Sequence, residues 1–218
     1  MSVIAAIPGM RRINHRVDQC SYAADVGVDG IVTVDIPAMP AALVTGIINA
    51  ASVAALGVVG PVVGFNAASL GRYGRNLTVA LSGAGTGNLT LYGYDWLGQA
   101  IKETIALAGA TPVLSKKMFA DFVSASFPVV GAVTLNVGWG NVLGVPYKVL
   151  HTSLLGEMTS DVTAAAGALV AGVSPQTLTS GDPRGTYTPA AAPDGVRTYR
   201  FSCFVDRSNL HGAAHVTA

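Results

Sequence analysis

Between Asn76 and Ala108 the side chains alternate, apolar with small or polar, and a two-residue period of that length fits extended chain and little else. Leu77, Val79 and Leu81 alternate with Asn76, Thr78, Ala80 and Ser82. After the loop Gly83-Ala84-Gly85-Thr86-Gly87, Asn88-Leu89-Thr90-Leu91-Tyr92-Gly93-Tyr94-Asp95 alternates again, and the pair is expected to form a hairpin. Trp96-Leu97-Gly98 turns the chain. A third strand over 99–108 carries Ile101, Glu103, Ile105 and Leu107 on one face and Lys102, Thr104 and Ala106 on the other. The three together read as a meander that buries one face.

Elsewhere the strands are shorter. Ile31-Val32-Thr33-Val34-Asp35-Ile36 is β-branched and bounded by Gly30 and Pro37. Val133–Trp139 alternates, and residues 196–205 close the chain with Tyr199, Phe201 and Cys203 set against Thr198, Arg200 and Ser202. Residues 116–126 fit helix or strand, residues 143–149 fit a strand or an extended edge, and residues 164–171 fit a short helix or a loop. Turns rich in Gly and Pro separate these runs, with no long amphipathic helix and no strand–helix–strand rhythm. The expected fold is all-β with at most one or two short helices, an antiparallel β-sandwich or barrel. Residues 1–30 read as an N-terminal arm, and residues 31–218 as one β-rich domain with a Gly/Ala-rich contact segment at 37–71.

Composition enters through charge. Asp, Glu, Lys and Arg make up 11% of the chain, against about 25% in ordinary soluble domains. A chain this poor in charge is expected to cover much of its surface in an assembly. Thirteen basic against twelve acidic residues leave a net charge of +1, which provides no field for nucleic acid. No charged residue lies between Asp35 and Arg72, long enough for a membrane span. Gly46, Gly57, Gly60, Pro61 and Gly64 interrupt that stretch and argue for strand, turn and loop at a subunit contact. The N-terminus runs apolar first and basic second, the reverse of a secretory signal.

Signals for chemistry are weak. The glycines at 83–87 lead into a strand, so no helix N-terminus is there to receive a phosphate. There is no Gly-Lys-Ser/Thr and no Gly-x-Ser-x-Gly. Cys203 sits in an apolar alternating run and reads as core, while Cys20 lies near His15 in the arm. His211 and His215 have the spacing of paired metal ligands but lack a third. The carboxylates are scattered. Neither catalytic residues nor a cofactor nor a small-molecule substrate is expected. Candidate interface residues are Arg11, Arg12 and Arg16 in the arm, suited to pairing with carboxylates, and Tyr92, Tyr94 and Trp96, which share one alternating run. The aromatics fit an exposed recognition face or the buried second face of a sandwich, and the buried face is the expectation.

Three stretches resemble a pattern found in virion structural proteins of tailed bacteriophages. They are residues 89–123 (LTLYGYDWLGQAIKETIALAGATPVLSKKMFADFV), then Val137-Gly138-Trp139-Gly140-Asn141 with Leu143-Gly144-Val145-Pro146-Tyr147, then Asp182-Pro183-Arg184-Gly185-Thr186-Tyr187-Thr188-Pro189 with Pro193-Asp194-Gly195. They agree in order and spacing over about the second half of the chain. The first 70 residues lie outside the resemblance. It implies a capsid decoration (cement) protein on the head exterior, a homotrimer that clamps the major capsid protein. It brings no catalytic residue, cofactor or membrane. A tail or head–tail junction protein is the nearest alternative. A carbohydrate-binding or hydrolytic virion module, using the aromatics and a pair of carboxylates, is the alternative of another class.

Overall fold

The structure, a computed structural model, describes residues 29–216. The chain is all-β, with antiparallel sheets of which one curls into a half-barrel. In chain order the strands are β1 (Asp29–Ile36), β2 (Leu43–Ser52), β3 (Gly57–Val59), β4 (Arg75–Leu81), β5 (Thr86–Tyr94), β6 (Ala100–Ala108), β7 (Val113–Leu114), β8 (Asp121–Phe127), β9 (Thr134–Gly144), β10 (Val149–Thr159), β11 (Val162–Thr163), β12 (Ala168–Ala171), β13 (Gly185–Thr188) and β14 (Tyr199–Asp206). A 3-10 turn, Ala67–Leu70, is capped by the Asn66 side chain, which accepts from the Ala68 N–H at 2.9 Å.

The strands form three sheets ordered β1-β14-β10-β11, β12-β13-β9-β4-β7 with β2 added on β9, and β3-β8-β5-β6. Two apolar clusters hold them together. One packs Leu77, Val79 and Leu81 of β4 and Leu135 and Val137 of β9 against Leu89, Leu91, Ile101, Ile105, Phe122 and Phe127 of the β3-β8-β5-β6 sheet. The other packs Val34, Ile36, Phe201, Cys203 and Val205 of the first sheet against Leu143, Leu169 and Tyr187. There the Tyr187 and Phe201 rings stack with centroids 4.2 Å apart. β9, eleven residues long, serves both clusters, with Leu135 and Val137 in the first and Leu143 in the second. Where β2 crosses it, a Cβ on Gly138 would run into the Leu43 carbonyl, so glycine is what lets the two backbones approach. Gly185 opens β13 at φ +91, in the left-handed region that favours glycine.

The expected hairpin between the first two alternating runs does not form. β4 lies between β9 and β7, whereas β5 lies between β8 and β6. The glycine-rich loop carries the chain from one sheet to the other. All seven residues of β4 are buried, so its small polar positions face protein and not water. Asn76 Oδ1, for instance, accepts from the Val142 N–H at 3.0 Å. The β5–β6 hairpin does form, with Tyr92 opposite Lys102. The stretch 116–126, open between helix and strand, resolves as strand, with residues 121–127 forming β8. Residues 164–171, expected as a short helix or a loop, are loop over 164–167 but strand β12 over 168–171, paired on β13. The run at 143–149 divides between the end of β9 and the start of β10, with Pro146 in the connection. In the segment 37–71, Ile47, Ile48, Val53 and Leu70 enter the core and Val59 packs against it, while the rest of residues 54–64 remain outside it.

Candidate interaction surface

Alternation gives the β3-β8-β5-β6 sheet a buried face and an outer one. Leu89, Leu91, Ile101 and Ile105 turn inward. The register then sets the outer face in rows. Val58, Ser126, Thr90 and Thr104 lie side by side across four strands, and the Thr90 and Thr104 hydroxyls are 3.4 Å apart. The next row holds Ser124, Tyr92 and Lys102, and the next Asp121, Tyr94 and Ala100. A bulge in β8 beside Tyr92 and Gly93 adds Val123, 46% exposed. Lys102 and Asp121 are the charged residues in these rows. Between Val58, Tyr92, Tyr94, Val123 and Ser124 lies an open hollow of about 460 Å³.

β3 joins this face to a longer apolar ribbon. Within residues 54–64 every residue except Gly57 and Val59 is exposed. Leu56 is 76%, Val58 68% and Val63 105% exposed. Scattered apolar side chains on a surface are ordinary. Eleven consecutive uncharged residues, contiguous with a nearly uncharged sheet face, form a patch of the kind that marks contact with protein.

The sequence-predicted residues are only partly brought together. Arg11, Arg12 and Arg16 lie outside the described residues, as does Cys20. Tyr92 and Tyr94 stand on the outer face, not on the buried second face that was expected, because among the described residues no further sheet covers it. Trp96 does not join them. The Asp95 carboxylate accepts from the Leu97 N–H at 2.9 Å and the Gln99 N–H at 2.8 Å, closing a tight turn that ends the alternation. The Trp96 ring instead meets Tyr73 and His211 edge-on, at 5.6 and 6.1 Å. A shallow groove of about 660 Å³ nevertheless runs past Tyr94, Trp96, Arg72 and Asp121. On its other side Asp35 and Asp161 converge on the guanidinium of Arg200, at 2.6 and 3.3 Å, in a cleft that Arg72 also lines.

Sequence reading missed a buried ionic cluster. The Arg184 side chain, 1% exposed, places Nη1 2.9 Å from Asp95 Oδ2 and Nε 3.9 Å from Asp182 Oδ1. His215 Nε2 lies 3.5 Å from the same Asp95 oxygen. The terminal nitrogens of Arg184 and both ring nitrogens of His215 make no aligned hydrogen bond among the described residues, so it is the backbone N–H groups of Leu97, Gln99, Met118 and Arg184 that bond the two carboxylates directly. Asp182 also accepts from the Met118 N–H at 3.0 Å. Glu103 accepts from the Lys116 and Lys117 N–H groups at 2.7 and 3.0 Å, yet its burial pushes the carboxyl up to about 7. Fully buried Lys117 donates through Nζ to the Thr177 carbonyl at 2.8 Å and the Lys102 carbonyl at 3.3 Å. Arg75 is equally buried and donates only to carbonyls, of Gly140 (twice), Pro40 at 2.8 Å and Ser69 at 3.3 Å. Burial lowers its pKa to about 10. One signal was available: Asp182-Pro183-Arg184-Gly185 sits in a stretch singled out for its motif.

His215 is therefore engaged with Asp95, whereas His211 packs beside Trp96 and Tyr147. Among the described residues no three of His, Cys, Asp and Glu are grouped to hold a metal ion. Cys203 is a buried free thiol that burial pushes up to about 12, which leaves almost no thiolate at neutral pH. No helix among the described residues is long and apolar enough to cross a membrane. Comparison with protein-family models, curated proteins and solved structures finds no match to this chain.

Proposed function

We propose that this chain is a structural subunit of a tailed-phage virion, which decorates and stabilises the capsid by contact and not by catalysis. Its partners are copies of itself and the major capsid protein, and its place is the capsid exterior. The observation that carries this reading is the continuous surface, nearly free of charge, that runs from the ribbon 54–64 onto the outer face with Tyr92 and Tyr94. Such a surface gains about 25 cal/mol for each Å² of apolar area covered, before the costs of association. The buried ionic cluster complements it, because a rigid support keeps the contact face in one shape.

The test is co-sedimentation of the purified chain with capsids lacking it, paired with light scattering on the free chain. The expected result is saturable binding at a fixed ratio to the major capsid protein, and an assembly in solution, a trimer if the resemblance extends to stoichiometry. Absence of binding to capsids overturns the reading, and binding to purified tails alone moves the protein to the tail or head–tail junction. The groove past Tyr94, Trp96, Arg72 and Asp121 supports a second reading, a carbohydrate-binding virion module. A glycan array decides it: selective binding lost in Trp96→Ala favours that reading.

A further inference from the structure

The two edges of the β3-β8-β5-β6 sheet are treated in opposite ways. β6 forms one edge, and the loop over 176–180 covers it: the Thr104 N–H donates to the Leu178 carbonyl at 2.8 Å, and Lys117 Nζ reaches the Lys102 carbonyl at 3.3 Å. Lys102 and Glu103 add charge there. β3 forms the other edge, and among the described residues no strand pairs on its far side. β3 carries no lysine, no proline and no bulge, the devices by which proteins blunt an open edge. Among the described residues its protection is its length of three residues, with Pro61 following two positions beyond it. Leu56 and Val58 stand 76% and 68% exposed on or beside it.

From this we infer that β3 is a self-association edge: it pairs antiparallel with β3 of a second copy across a two-fold axis near Val58, joining two sheets into one. The occupant follows from charge. In a two-fold contact residue i of one copy meets residue j of the other and j meets i, so a patch of one sign repels itself while an uncharged patch does not. No charged residue lies between Asp35 and Arg72, so pairing of the ribbon with its own copy brings no like charges together. Alternation puts Val58 on the outer face with Ser126 while Val59 packs toward the core, and Leu56 stands exposed in the bend just before the strand. Pairing two copies therefore lines up Leu56 and Val58 of each along one seam, beside the hollow that Tyr92, Tyr94 and Val123 border. Three residues supply few ladder bonds, so burial of Leu56, Val58, Val62 and Val63 provides most of the contact.

This inference rests on reading the ribbon as an interaction surface, and it fails separately from the capsid assignment. A two-fold contact requires an even copy number, two free chains or two trimers joined. Light scattering on the full chain at about 100 µM should therefore give an even number, and Val58→Lys should halve it while circular dichroism stays unchanged. Val196→Lys, on a residue 78% exposed away from this sheet, should leave the number intact. A monomer, an odd copy number, or an even one that Val58→Lys does not halve overturns the inference. Capsid co-sedimentation is scored on the same samples: halving without capsid binding sinks the capsid reading and leaves the edge contact standing.

Discussion

The molecule carries charge where a protein usually has none and shows apolar surface where charge is usual. Around Arg184, five ionisable side chains, Asp95, Glu103, Lys117, Asp182 and His215, are buried with it. Over residues 54–64 the exposed side chains are uncharged. The two regions have different logic. Taking a charge out of water is costly, and it is tolerated where partners are fixed by backbone on every side. The cluster joins the β5–β6 hairpin, the 115–118 segment, the turn before β13 and the segment after β14 that carries His215, four pieces apart in sequence. The ribbon is tied to the described chain by its backbone, through β3 on β8 and the Val62 N–H on the Ile47 carbonyl at 2.7 Å, but its exposed apolar side chains are left for a neighbour to cover. Interior charge here fixes a shape, and exterior apolarity uses it.

The largest way to break that contrast is Arg184→Met. It leaves Asp95 and Asp182 buried without their cation and should cost about 3–5 kcal/mol, read as a shift of the urea midpoint. A change below about 1 kcal/mol would mean the cluster is solvated and not a support.

Next comes pH. Burial holds Glu103 at about 7, above its ordinary value of 4.5. The folded state thus binds the proton more tightly than the unfolded chain. The stabilisation is complete below about 4.5 and is lost as pH rises through about 7, a span on the order of 3 kcal/mol. Glu103→Gln should flatten the decline between pH 5 and pH 7.5 in parallel denaturation series. If wild type shows no decline, the carboxylate is better compensated by the Lys116 and Lys117 N–H groups than burial implies.

Gly46→Ala sharpens the comparison at the root of the ribbon. A Cβ there meets the ring of Trp139, which cannot easily retreat because its Nε1–H donates to the Ala41 carbonyl at 2.9 Å. A loss of about 1–3 kcal/mol in thermal unfolding is expected. The smallest effect on stability belongs to Leu56→Ser. Exposed as Leu56 is, stability should move by no more than about 0.5 kcal/mol, while self-association weakens by light scattering. Equal losses in both would place Leu56 in the core.

Much of this was legible early. The two-period runs announced the β class, and the inward set Ile101, Glu103, Ile105 and Leu107 was read residue by residue, glutamate included. Partners were not legible. β4 alternates as a one-sided strand does, but its Asn76 and Thr78 are buried because β4 sits in mid-sheet. Tyr92 and Tyr94 carry a pattern that suits a covered or an open face equally, and Trp96 leaves them because a carboxylate two bonds from the backbone closes a turn at Asp95.

What the sequence determined by itself was local: extended chain from alternation, turns from glycine, proline and Asx residues, and a low charge that asks for covered surface. Tertiary structure alone decided which strands are neighbours, which face stays open and which charges meet. The reason is range. A side chain's period and propensity act over a few residues, whereas the pairing of β4 with β9, and of Arg184 with Asp95, depends on contacts about 60 and 90 residues apart that form only when the whole chain has closed.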